Sequence, residues 1–175
     1  MREIIFLIVL LSQVTMYSQK TELQVLMSNV FEESIVQRDS FIVVSESIEY
    51  SIGEFKLHNI QRRDLKSEYP DFPFDLITTN WKNIPKTNWN FLNDKKIKVF
   101  KKNEIRTWEL GDKNLPYYQF STPIFSSDRV YCVIKVFTNG AKSADNRNYV
   151  FRKTNDKWKE IFNYETQKIV VEIVD

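Results

Sequence analysis

Cysteine is almost missing from this chain. Cys132 is the only one, so no disulfide can form within it. Its place inside an apolar run predicts a buried, inert thiol rather than a nucleophile. Packing alone must then hold the core. Histidine is equally scarce. His58 stands alone, with no second histidine or cysteine nearby, so the spacing of a metal site is missing. A Ser/His/Asp arrangement around Ser126-Ser127-Asp128 is likewise unsupported. Three glycines and five prolines in 175 residues argue against a low-complexity or disordered chain. The net charge of +2 is too small to imply a nucleic-acid or membrane partner. No catalytic or cofactor motif stands out. The sequence therefore assigns no catalytic residue, cofactor or metal ligand.

Aromatic residues, at 14%, are plentiful, which suits an aromatic-rich sheet. The length favours one domain. Met1–Gln19 carries one positive residue, Arg2, and then an apolar run, Ile4–Leu11, too short to cross a bilayer. Met16-Tyr17-Ser18 offers a small residue for cleavage. The segment reads as a secretory signal over residues 1–18, leaving a single domain over 19–175. An uncleaved anchor and a buried strand are the competing readings. With no cysteine near the cut, a lipoprotein anchor is excluded. The expected location is the periplasm or the outside of the cell, with no membrane span after cleavage.

The domain is organised around Val130–Thr138, V-Y-C-V-I-K-V-F-T, which is apolar on both faces of a period-two strand. Such a strand is central and covered on both sides. Asn139–Arg147 reads as a loop. Asn148–Lys153 and Trp158–Phe162 flank the polar turn T-N-D-K. With Lys153 opposite Trp158, Phe151 faces Glu160 and Tyr149 faces Phe162. Lys168–Val174 is a further strand candidate. Upstream, Thr21–Arg38 places Leu23, Leu26, Met27, Val30, Phe31 and Ile35 at helical spacing, predicting an amphipathic helix that covers the sheet. Phe41–Val44 and Ile48–Leu57 read as extended, and Asp75–Asn83 as a short helix or turn. The fold expected is α+β. An N-terminal amphipathic helix packs on a curved, mostly antiparallel sheet of about five to seven strands.

Two clusters invite a binding role. T-N-W occurs at Thr79–Trp81 and again at Thr87–Trp89. Trp81 and Trp89 either pack in the core or form a stacking platform for a sugar ring or a partner. Lys95–Leu110 is basic, and Lys98 with Arg106 suggests polyanion binding. The competing reading folds Ile97–Phe100 back on Ile105–Trp108 as a hairpin. Lys101 then pairs with Glu104 across the strands, and the lysines mark a solvated sheet edge.

The succession S-T-P-I-F-S at Ser121–Ser126, the long apolar strand, a polar loop, and an aromatic strand ending in N-D-K-W-K resembles a known module. It recurs in uncharacterised exported proteins of Bacteroidetes-type bacteria, where S-x-P-x-F-S precedes an alternating strand and K-x-G-K-W-K closes the next hairpin. The likeness covers the last third of the chain. Asp156 stands where the pattern has a turn glycine, and Asn139–Arg147 lacks a Cys/Gly-rich loop. The resemblance implies a secreted α+β domain and assigns no catalytic residues.

Three functions are carried forward: a non-enzymatic exported binding or envelope-associated domain, a carboxylate-based hydrolase, and a carbohydrate or polyanion binder. The partners considered are an envelope protein or a glycan.

Overall fold

The structure, a computed structural model, describes residues 22–31, 41–48, 59–78, 84–93, 97–108, 117–139 and 144–169. Its strands are β1 (Phe41–Val44), β2 (Ile97–Phe100), β3 (Tyr117–Phe120), β4 (Ile124–Phe125), β5 (Tyr131–Asn139), β6 (Ala144–Thr154) and β7 (Lys157–Ile169). They form one seven-stranded sheet in the order β2-β1-β3-β5-β6-β7, with β4 also paired to β5. Short helices span Asn59–Glu68, Asp75–Thr78 and Lys102–Trp108. The class is α+β, mostly sheet.

β5 is the central strand that its two apolar faces require. Cys132, Ile134 and Val136 enter one core with Phe151 and Trp158. Tyr131 and Val133 enter a second core with Val150 and Tyr164. Each fully buried aliphatic or phenyl side chain in these clusters stabilises the fold by roughly 1.5–3 kcal/mol on leaving water. Val43, Trp89, Phe120 and Tyr118 extend the first core. Residues 22–31 are helical. Leu26, Met27 and Val30 of that segment are buried in this same cluster. The rest of the helix predicted to Arg38 lies outside the described residues. The second core is closed by Leu65 of the helix Asn59–Glu68 and by Phe72, Leu76 and Ile77. Phe72 packs edge-on against Tyr131 at 5.2 Å between ring centroids.

The sheet is mixed. β1 runs parallel to both β2 and β3, whereas β5 pairs antiparallel with β3, β4 and β6, and β6 with β7. β1 has no polar residue, and Ile42, Val43 and Val44 are all buried, as a parallel strand covered on both faces should be. β3 and β4 lie in line along one side of β5, interrupted at Ser121–Pro123. Pro123 cannot donate to a ladder, so the strand must break there. Ser121 bridges the gap. Its N–H donates to the Lys135 carbonyl at 2.9 Å, and its Oγ accepts from the Lys135 N–H at 2.9 Å.

Several sequence expectations are corrected. Residues 97–108 are not a hairpin: Ile97–Phe100 pairs with β1, and Lys102–Trp108 is helical. Glu104 does return to Lys101, but as a cap that accepts the Lys101 backbone N–H at 2.8 Å. The lysine-bearing strand is nevertheless the edge of the sheet. Asn139–Arg147 is not all loop, since β6 already pairs with β5 at Ala144. Lys168 begins no new strand, because β7 runs unbroken to Ile169; residues 170–175 lie outside the described residues. Lys153 does sit opposite Trp158, and Phe151 opposite Glu160, but Tyr149 faces Asn163 rather than Phe162. The register shifts between Val150 and Phe151 and again between Asn146 and Arg147. In both places β7 carries the extra residue, Ile161 and Thr166. Phe162 therefore turns to the opposite face and packs in the second core.

Candidate functional site

Trp89 is fully buried and belongs to the core. Its Nε1 donates to the Phe120 carbonyl at 3.3 Å, and its ring packs against Phe120 and Phe91. It offers no platform to a ligand. The neighbouring Thr87 is equally committed. Its N–H donates to Ser47 Oγ at 3.0 Å and its hydroxyl to Thr122 Oγ1 at 3.0 Å, tying three distant segments together. Trp81 and His58 lie outside the described residues. Lys98 is exposed on β2, and Arg106 sits in the helix Lys102–Trp108, so the two are on successive elements rather than on one hairpin. Beside them is a surface depression of about 510 Å³, lined by Glu46, Lys101, Lys102 and Asn103. Its lysines are exposed and point to no single ligand geometry.

Ser126 and Asp128 form a turn, not a catalytic pair. Ser126 Oγ donates to Asp128 Oδ1 at 2.5 Å, and that oxygen also accepts the Val130 N–H at 3.0 Å. The Ser126 hydroxyl and then the Val130 N–H hold the Asp128 carboxyl below its ordinary value. Arg129 takes a positive φ of 56° to close the turn.

A second polar group lies across β6 and β7, and two of its residues, Asp145 and Arg147, fall in the stretch expected to be a loop. Asp145, Arg147 and Tyr149 face the same side of the sheet as the first core, paired with Thr138, Val136 and Ile134 of β5. Opposite them on β7 stand Lys168, Glu165 and Asn163, with Glu160 opposite Phe151. The apolar core of this face thus gives way to a row of half-buried polar side chains, Asp145, Arg147, Glu160 and Asn163, with Glu165 exposed beside them. Arg147 organises it. Its Nε donates to Asp145 Oδ2 at 3.3 Å and its Nη1 to Asn163 Oδ1 at 2.7 Å. Asn163 Nδ2 donates in turn to Glu160 Oε1 at 2.5 Å. Tyr149 lies against Phe151, ring centroids 6.4 Å apart and planes at 23°. Burial pushes its hydroxyl up to about 12. Arg147 opposes that rise, while Glu160 and Asp145 add to it. The alternation D-N-R-N-Y over residues 145–149 was the available signal: every second residue is one this face uses.

The other face holds buried polar groups of its own. Lys135, Asn148 and Tyr164 are all buried, with Lys135 opposite Asn148 and Asn148 opposite Tyr164. Burial raises the Tyr164 hydroxyl, and a hydrogen bond with Asn148 works against it. Among the described residues no three His, Cys, Asp or Glu side chains are placed to hold a metal ion. Among them too, no helix is long and apolar enough to cross a membrane. Compared with protein-family models, curated proteins and solved structures, the chain matches none.

Proposed function

We propose that this chain is an exported, non-enzymatic binding or envelope-associated domain whose contact surface is the polar row on β6 and β7. One observation carries the reading. Arg147 is held between Asp145 and Asn163, and Asn163 holds Glu160, so four polar side chains are fixed before any partner arrives. Preorganised polar groups on rigid strands lower the ordering cost of binding. The export half of the reading rests on the leader-like residues 1–18 and on the resemblance of Ser121–Ser126 and Lys157-Trp158-Lys159 to the exported Bacteroidetes-type module. The buried Leu26, Met27 and Val30 support a helix that continues toward Arg38 and caps the first core.

The test uses the full chain expressed in a Bacteroidetes host. Mature protein recovered outside the cytoplasm should begin at Gln19, and it should co-sediment with purified cell envelopes. Replacing Arg147 by Gln should abolish co-sedimentation while leaving circular dichroism unchanged. Equal co-sedimentation of the variant would remove the row from the argument.

A second reading is favoured by the same row: Asp145 and Glu160 are two carboxylates on one sheet face, as a carboxylate-based hydrolase would need. Each already accepts a hydrogen bond from Arg147 or Asn163, which favours a binding role. Turnover of any glycoside or ester on a substrate panel, lost in Asp145→Asn and Glu160→Gln, would establish the hydrolase instead.

A further inference from the structure

Resting on the β6–β7 row as the contact surface, the geometry points to a neutral oligosaccharide as the ligand, laid along β6 over Asp145, Arg147 and Tyr149. The donor and acceptor inventory is the first argument. Arg147 uses Nε and Nη1 within the row, and its Nη2 makes no hydrogen bond to a described residue. Asp145 Oδ1 is buried, and its Oδ2 accepts from Arg147, so this carboxylate braces the guanidinium from within the row. Glu160 uses Oε1 for Asn163 and keeps its second oxygen. A pair of adjacent hydroxyl groups can accept from a guanidinium and donate to a carboxylate at the same time. A polyol therefore matches both halves of the row, whereas an anion or a cation matches only one.

The aromatic component is the second argument. Tyr149 is half-buried and held against Phe151, so its ring is fixed beside the polar groups, and its hydroxyl makes no hydrogen bond to a described residue. A ring with an apolar body and a polar tip suits a ligand with C–H faces and O–H edges. Charge is the third. Asp145, Glu160 and Glu165 outnumber the two cations in register with them, Arg147 and Lys168, so the row disfavours a polyanion. The exposed lysines 98, 101 and 102 lie at the other edge of the sheet, around β2. Length is the fourth. Residues 145, 147 and 149 span roughly 13 Å of strand, longer than one sugar ring, which selects a chain over a monosaccharide.

Calorimetric titration of the full chain with malto-, cello-, xylo-, manno- and chito-oligosaccharides, and with heparin fragments as the anionic arm, tests this. One neutral series should bind. Affinity should fall about tenfold or more in Asn163→Ala, which releases Arg147 and Glu160 from their fixed positions and restores the ordering cost of binding. It should fall by less in Tyr149→Phe, which keeps the ring and its packing. Lys98→Ala should bind as the parent does. Binding of none of the neutral series, preference for heparin, or unchanged affinity in both row variants would overturn the assignment. If envelope co-sedimentation needs Arg147 and no oligosaccharide competes for it, the glycan is wrong and the contact surface stands. If co-sedimentation does not need Arg147, both fall.

Discussion

Cys132 has no solvent exposure, and burial pushes its thiol well above the ordinary value, with the Glu22 charge adding to the rise. A thiol in that state is a small apolar core residue with no nucleophilic fraction. Native protein should therefore resist a thiol reagent, and reaction should accelerate by orders of magnitude once denaturant opens the fold. Rapid stoichiometric labelling in native buffer would refute this. Trp89 shows the limit of sequence at the same scale. Its flanking Thr and Asn residues look like surface, yet its indole is enclosed because Ser45 and Phe120 supply carbonyls for its backbone and ring N–H groups. Those acceptors are about thirty to forty-five residues away in sequence, so nothing local announces them. Cys132, by contrast, sits in an alternating apolar strand, and its fate could be read from its neighbours.

Element boundaries divide along the same line. β5 and the turn end of the hairpin β6–β7 are local: period-two patterning and a short polar turn suffice, and both were legible, whereas the far end of the hairpin, residues 144–147 with 165–169, was not. Asn155 and Asp156 take φ of 51° and 61°, the mirror-image turn that suits the twist of paired strands. Glycine is preferred at the second of these positions. Asp156→Gly should raise stability by a few tenths to about 1 kcal/mol, seen as a rise in Tm of roughly 1–4 °C. A fall in Tm would mean that Asp156 has a role besides the turn. The bulges at Ile161 and Thr166 were not legible, because a single extra residue leaves the alternation of short segments intact. The helix Asn59–Glu68 was missed because Leu65 is its one buried residue among those whose side chains are described, leaving no apolar stripe to detect. Glu22, at the start of the helical residues, bridges Arg129 and Lys153, the latter at 3.2 Å. Its side chain is 12% exposed, against 44% for Arg129 and 30% for Lys153. Glu22→Gln should cost about 1–2 kcal/mol, since the carboxylate is largely buried while its partners remain partly solvated. Urea unfolding of Glu22→Gln, Arg129→Ala and the double variant would read the coupling. Strict additivity would mean that the bridge contributes nothing.

For the molecule as a whole, three of the described tyrosines shape the response to alkali. Burial first, then Asp71, raises Tyr131 to about 12, against the pull of Arg152, and burial raises Tyr149 to about 12 and Tyr164 further still. Each hydroxyl is held neutral in the fold and ionises near 10 once unfolded. The unfolded chain thus binds fewer protons above pH 10, and stability must fall as pH rises. Full stability should persist below pH 10 and drain away toward about pH 12. Urea midpoints followed with tyrosinate absorbance will show it, and a flat profile across that window would contradict the burial. The parallel setting of β1 reaches furthest. Phe41–Val44 finds both neighbours only in residues 97–100 and 117–118, which the ribosome makes much later. The meander of β5, β6 and β7 closes through short links, so it can assemble unaided. Pulse-labelled amides of Ile42–Val44 should accordingly gain protection after those of β5 and β6. Until then the chain carries a naked F-I-V-V segment, prone to pair with whatever strand it meets, and yields at high expression should improve when a holding chaperone is supplied.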